Sequence, residues 1–144
     1  MNKKGDVIEV DITDFSTDGE GIGKTDAFTW FIKDSVIGDR VRAVVMKTKK
    51  SYGYARVVEI LKESKDRVEL RCPVARPCGS CTLQSVSYRA QLAFKQNKVI
   101  NNLIRLGGFS REALEEVEIA PIIGMKEPWH YRNKAQYPIG TDRE

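Results

Sequence analysis

Between Val7 and Leu61 the chain is a succession of short β-branched and aromatic runs with no helical periodicity between them. Val7-Ile8-Glu9-Val10-Asp11-Ile12 alternates imperfectly and reads as a first strand. Ala27-Phe28-Thr29-Trp30-Phe31-Ile32 is a strand by composition, and at least one of Phe28, Trp30 and Phe31 is expected in the interior. Val36-Ile37-Gly38-Asp39 reads as a turn into Arg40-Val41-Arg42-Ala43-Val44-Val45, where Val41, Ala43 and Val45 share one face and Arg40 and Arg42 the other. Tyr54 to Leu61 is the last strand of the unit. Four or five short strands in about sixty residues predict a small closed barrel.

Barrels of the OB type bind single-stranded nucleic acid with basic loops and aromatic platforms. Lys47, Lys49 and Lys50 form such a loop, and Tyr52 and Tyr54 beside them are the candidates for stacking. Asp18-Gly19-Glu20-Gly21-Ile22-Gly23 has a superficial likeness to a nucleotide or methyl-donor loop. That chemistry needs a helix immediately afterwards, so that its N-terminus can face the anion. A strand follows instead, so the glycines are read as a permissive hairpin connection.

All three cysteines fall within ten residues, Cys72-Pro-Val-Ala-Arg-Pro-Cys78-Gly-Ser-Cys81. Cys78 and Cys81 straddle a Gly-Ser turn able to point two thiolates inward and backbone N–H groups at their sulfurs. Cys72 is expected to return to the same point across a loop stiffened by Pro73 and Pro77. Thiolates so spaced suit an iron–sulfur centre or zinc, between which three cysteines do not decide. Reduced core thiols, or one disulfide with a leftover, are the bland alternatives. His130 is the only histidine, which gives a histidine zinc site or a catalytic triad little material, and it reads as a partly buried or surface residue.

Charge is unevenly distributed. Residues 1–39 carry four Lys/Arg against nine Asp/Glu, residues 40–67 nine against three, and residues 85–111 five and no acid. A net +6 stretch and a net +5 stretch are a footprint for a polyanion, against the bland reading of a solvated face. No run approaches the roughly 18 apolar residues of a membrane span, and no apolar core follows the basic start as in a secretory signal. A soluble, cytoplasmic monomer is expected, where clustered cysteines favour metal over disulfide.

Beyond a polar linker, Lys62 to Arg67, and the cysteine loop, Gln84 to Leu106 reads as one long helix. Tyr88, Leu92, Val99, Leu103 and Leu106 form its apolar seam, Ser85 or Ser87 its cap, and Gly107-Gly108 its end. Arg89, Lys95, Lys98 and Arg105 line its polar side. A shorter helix runs from about Ser110 to Val117. Trp129 to Pro138 looks like a strand entering a further sheet, and truncation of a longer protein is the simplest reason for finding no partner strands after it. The fold class is thus α+β: a barrel over residues 1–62, then residues 63–144 with the cysteine loop, the helices and the start of a truncated central α/β domain.

The order of these features resembles a known family. Asp18-Gly19-Glu20-Gly21-Ile22-Gly23, Trp30-Phe31-Ile32, Gly38-Asp39-Arg40-Val41 and Lys49-Lys50-Ser51-Tyr52-Gly53-Tyr54-Ala55 are similar to a TRAM domain, an OB-like module associated with RNA binding. Joined to Cys72…Cys78-Gly79-Ser80-Cys81 and Tyr131-Arg132-Asn133-Lys134, they resemble the N-terminal third of the S-adenosylmethionine-dependent RNA 5-methyluridine (uracil-C5) methyltransferases of ribosomal and transfer RNA. The resemblance implies that Cys72, Cys78 and Cys81, with a fourth cysteine further along, hold a [4Fe–4S] cluster in the full-length parent. Gly79-Ser80 departs from the Gly-Gly often found there.

In that family a cysteine thiolate attacks C6 of a flipped-out uracil, C5 takes the methyl group, and a base removes the C5 proton. None of those catalytic groups, and no part of the methyl-donor pocket, has a matching position in residues 1–144. The resemblance therefore implies an RNA-binding piece that does not methylate alone. Arg40, Arg42, Lys47, Lys49, Lys50 and Arg56 are the expected phosphate contacts, with Arg132 and Lys134 joining them in the whole enzyme. A stand-alone RNA-binding adaptor with a structural zinc is the rival reading. A methylthiotransferase fragment fits poorly, because the radical cluster of those enzymes uses C-x3-C-x2-C and their TRAM module lies at the other end of the chain.

Overall fold

The computed structural model describes residues 3–26, 28–134 and 140. Five strands, β1 (Val7–Phe15), β2 (Gly21–Thr25), β3 (Phe28–Lys33), β4 (Arg40–Thr48) and β5 (Tyr52–Lys62), close into a barrel in the order β1-β2-β3-β5-β4. The β3–β5 pair is parallel and the other four are antiparallel. Register shifts in β1 and between β4 and β5 supply the local bending that a five-stranded closure needs. Closure leaves no strand edge open to other chains.

The core follows from alternation along the strands. Ile8, Val10 and Ile12 of β1, Trp30 and Ile32 of β3, Val41, Ala43 and Val45 of β4, and Ala55 and Val57 of β5 point inward and form one cluster. Trp30 is fully buried, and its indole N–H donates to Thr25 Oγ1 at 2.8 Å, so the largest core ring leaves no polar atom unpaired. A Cβ on Gly53 would run into the Trp30 ring, so the smallest residue of β5 sits where the largest of β3 needs space.

The first half of the glycine-rich segment is the hairpin connection expected of it, between antiparallel β1 and β2, and the second half is not. Only Ser16–Glu20 is a turn, closed by Ser16 N–H donating to the Glu20 carbonyl at 2.8 Å. Gly21 and Gly23 already belong to β2 and face inward. A Cβ at Gly21 would strike Ser35 and Ile12, and one at Gly23 would strike Val10 and the Asp11 backbone. The glycines serve close strand approach more than turning.

Beyond the barrel lie α1 (Ala75–Cys78), α2 (Tyr88–Arg105) and α3 (Arg111–Glu115). α2 starts four residues later than expected, because Val86 is buried and bridges to Arg67, and Ser87 provides the cap, accepting from Ala90 N–H. The seam also differs in part: Val99 is 57% and Leu106 83% exposed. Ala90 and Phe94 make the contact instead, packing with Leu83 on a second core of Phe15, Val36 and Val86. Phe94 meets Phe15 edge-on at 5.2 Å between centroids.

The expected linker at Lys62–Arg67 is firmly tied. The fully buried Asp39 carboxylate accepts from Val36 N–H, Ser64 N–H and the Arg67 guanidinium. Asp66 in turn accepts from Ser87 Oγ and Arg89. Residues 129–134 form no strand. His130 is in the left-handed region with φ 58°, and Arg71 lies 4.3 Å over the Trp129 ring. The remainder of that expected strand, residues 135–138, lies outside the described residues. Among the described residues no helix is long and apolar enough to cross a membrane.

Candidate nucleic-acid interface

The β4–β5 hairpin brings the basic loop and the tyrosines together. Lys47 stands opposite Tyr54 and Thr48 opposite Gly53, and Lys49 N–H donates to the Tyr52 carbonyl at 2.8 Å to close the tip. Lys47, Lys49 and Lys50 are exposed, and among the described residues no carboxylate lies within ion-pairing distance of any of them. Their ammonium groups are therefore available to an external anion.

Gly53 and Ala55 face the core, so Tyr52 and Tyr54 face outward, where Phe31 joins them. Phe31 lies 5.8 Å from Tyr52 and 5.6 Å from Tyr54, and the two tyrosines are 5.8 Å apart, all between ring centroids. Each ring is half-buried, held by its neighbours yet open on one side. Partial desolvation raises the Tyr54 pKa, with Tyr52 and Glu20 adding to it. Of the three aromatics of β3, Trp30 meets the expectation of at least one interior ring, whereas Phe31 faces outward. The alternation of β3, with Trp30 and Ile32 inward, was the signal that places it outside.

The arginines are arranged differently. Arg42 pairs with Glu9, at 2.9 Å, and with Glu59, its neighbours across the two ladders. The Glu9 hydrogen bond, with the Glu59 charge, raises its pKa further above the usual guanidinium value. Arg40 lies 3.9 Å from Glu9 and Arg56 3.0 Å from Asp34. Exposed pairs of this kind are screened by solvent and hold each other weakly, so a phosphate can replace a carboxylate at little cost. Arg40 sits opposite Lys62, far from the hairpin tip, whereas Arg56 continues the outward face of Tyr52 and Tyr54. Arg132 and Lys134 are exposed outside any strand or helix and are not part of this face.

The cysteines are not gathered as expected. Cys72 is half-buried, its N–H donating to Gln84 Oε1 at 3.0 Å, while Cys78 and Cys81 are exposed, and all three thiols are free. Cys72 precedes the turn at Pro73–Val74, Cys78 is the last residue of α1, and Gly79, with φ 69°, ends that helix before Cys81. Among the described residues no three Cys, His, Asp or Glu side chains form a group able to hold a metal ion. As arranged here, with three thiols where a cluster takes four ligands, the loop does not fit a [4Fe–4S] centre by itself. One feature does suit a ligand: Ser80 Oγ lies 3.2 Å from Cys78 Sγ, and the hydroxyl and N–H of Ser80 lower the Cys78 pKa, with a smaller contribution from the Arg132 charge.

Residues 2–58 match the model of the TRAM domain, so the five-stranded barrel is a TRAM barrel. Proteins named as uncharacterized RNA methyltransferases are similar along nearly the whole chain. That of Halalkalibacterium halodurans is 47% identical over 95% of this chain, and that of Clostridium acetobutylicum 45% identical over 96%. The chain spans 29% of the length of each. The crystal structure of Pyrococcus abyssi tRNA (uracil-54, C5)-methyltransferase with S-adenosyl-L-homocysteine aligns with 70% of this chain and 22% of that one, at 25% identity and a TM-score of 0.41. The TRAM match and the relatives named as RNA methyltransferases uphold the resemblance to the TRAM-bearing part of RNA methyltransferases read from the motifs.

Proposed function

We propose that this chain is the RNA-gripping N-terminal part of an RNA uracil-C5 methyltransferase, delivering ribosomal or transfer RNA to a methyltransferase domain outside these residues. The observation that carries it is the hairpin tip: three lysines with no carboxylate partner among the described residues, beside the Phe31–Tyr52–Tyr54 platform, on a TRAM barrel. Ammonium groups take phosphates, and open ring faces take unstacked bases. Arg56, Arg42 and Arg40 extend the phosphate track by exchanging their carboxylate partners. Arg132 and Lys134 join it in the whole enzyme.

The relatives' names and their greater length support a catalytic domain beyond this piece, and S-adenosylmethionine belongs to that domain. Domain boundaries follow the same reading, with the barrel at 1–62 and the cysteine loop and helices at 63–144. Cys72, Cys78 and Cys81 are assigned as ligands of a [4Fe–4S] cluster in the full-length parent, supported by their spacing and by the thiolate-favouring turn at Cys78. Free thiols accord with a cytoplasmic protein, taken here as a monomer.

The test is the salt dependence of single-stranded RNA affinity. For single strands each phosphate contact contributes about 0.7 to the slope of log K on log salt. K47A/K49A/K50A should lower that slope by about 2 and weaken binding. An unchanged slope would remove the tip from the interface.

A further inference from the structure

We infer that the groove between the barrel and α2 is a second RNA-phosphate contact, an inference that rests on the RNA-binding reading above. The groove measures about 660 Å³ and runs between the Asp14–Thr17 end of β1 and the α2 surface. Its floor is the second core, with Phe15, Val36 and Phe94 among its walls. Its helical wall comes from the stretch 85–111, which carries five Lys/Arg and no acid.

Four of those five cations line it: Arg89, Lys98, Arg105 and Arg111. Lys95 is not among them. Two are already engaged, Arg89 with Asp66 at 2.9 Å and Lys98 with the Thr17 carbonyl at 3.1 Å. Arg105 and Arg111 are exposed, and among the described residues neither has a carboxylate within ion-pairing distance. The acids lining the groove are Asp14 and Asp66, and Asp66 is already held by Ser87 and Arg89. The balance is four positive charges against two negative, with Asn97, Asn101 and Asn102 offering neutral donors and acceptors between them. The Arg105 guanidinium at the end of α2 and that of Arg111 at the start of α3, beside Glu112, suit phosphates, and the amides of α2 suit sugar hydroxyls.

The groove lies at the opposite end of the barrel from the lysine tip. Arg40, opposite Asp11, begins β4, and Thr48 ends it eight residues on, about 27 Å at the usual strand rise. Phe15 continues β1 past Asp11 into the groove. An RNA strand held at the tip and in the groove would thus be gripped at two separated points, which fixes its direction across the barrel.

The experiment compares four proteins on one single-stranded RNA of about sixteen nucleotides, at the upper end of OB-type site sizes. They are the wild type, R105Q/R111Q, K47A/K49A/K50A and the combination, each checked for an unchanged thermal melt. Arg105 and Arg111 are exposed and have no ion-pair partner among the described residues, so their loss should leave the fold intact. K98Q serves as a second groove variant.

R105Q/R111Q should lower the salt slope by about 1.4, roughly a sevenfold smaller loss of affinity between 50 and 200 mM salt than for the wild type. The combined variant should show the sum of the two separate decreases. A wild-type slope in both R105Q/R111Q and K98Q overturns the groove while leaving the tip standing. A decrease in the groove variants with none in the tip variant keeps the groove and removes the tip. A wild-type protein that binds no RNA at 50 mM salt removes both.

Discussion

Asp39 is where the account is most exposed energetically. Its side chain is fully buried, and its two oxygens accept from Val36 N–H at 2.7 Å, Ser64 N–H at 2.9 Å and the Arg67 guanidinium, which is itself only 14% exposed. Val36 belongs to the second core, and Ser64 and Arg67 belong to the segment that leads from β5 to the cysteine loop. Asp39→Ala therefore leaves two backbone donors without their acceptor and a nearly buried guanidinium unpaired. Breaking a buried ion pair from one side costs about 3–5 kcal/mol, and each orphaned buried donor about 1–3 kcal/mol where it finds no water. With the total stability of a domain at about 5–15 kcal/mol, we expect Asp39→Ala to lose roughly 3–5 kcal/mol. Asp39→Asn keeps one acceptor oxygen and should lose less. Urea unfolding followed by Trp30 fluorescence and by far-ultraviolet dichroism would measure both. A loss below about 1 kcal/mol for Asp39→Ala would refute the reasoning, because it would mean that water or a rearranged Arg67 satisfies the site.

Three further outcomes follow from other parts of the molecule. Gly53→Ala places a Cβ against the Trp30 ring and should cost about 1–3 kcal/mol by overpacking, read from the urea midpoint, whereas Ala on the exposed Gly79–Ser80 turn at Ser80 should barely move it. Ser80 favours the Cys78 thiolate, so alkylation of Cys78 should set in at lower pH than for an ordinary thiol. Ser80→Ala should move that profile towards higher pH, as read by mass spectrometry of the modified peptide, and an unmoved profile would dismiss the contact. Anaerobic iron and sulfide analysis should find a cluster in the full-length parent and none in this chain. Iron absent from both would withdraw the ligand assignment of Cys72, Cys78 and Cys81.

How much could be read in the sequence depends on how local each cause is. The inward set Val41, Ala43 and Val45 was plain, because strand alternation is written in consecutive residues. β2 was hidden because its inward positions are glycines, whose role is set by Ile12, Val10 and Ser35 in other segments. The lysine and tyrosine cluster was legible because a hairpin keeps neighbours in sequence close in space. The pairing of Arg42 with Glu9 and Glu59 was not, since it depends on the register of two ladders, and a one-residue slip changes every partner.

The Asp39–Arg67 tie joins residues 28 apart, and no periodicity announces it. On α2 the expected seam holds in part: Tyr88 and Leu92 are half-buried beside Gly124 and Met125, while Val99 and Leu106 are exposed. Leu83 and Val86 precede the helix and fix Ala90 and Phe94 as the docked face. The cysteine spacing signalled a ligand loop, yet a helical turn forms within it and ends at Cys78, and among the described residues no three ligands are gathered, which spacing alone does not reveal.

The central claim is that RNA lies on the outward face of β5 beside the lysine tip. Photocrosslinking a single-stranded RNA to the protein, followed by mass-spectrometric mapping of the attached nucleotide, tests it most directly. The account predicts attachment at Tyr52, Tyr54 or Phe31, lost when Lys47, Lys49 and Lys50 are replaced. Attachment confined to other surfaces, with these three rings unmodified, would contradict it.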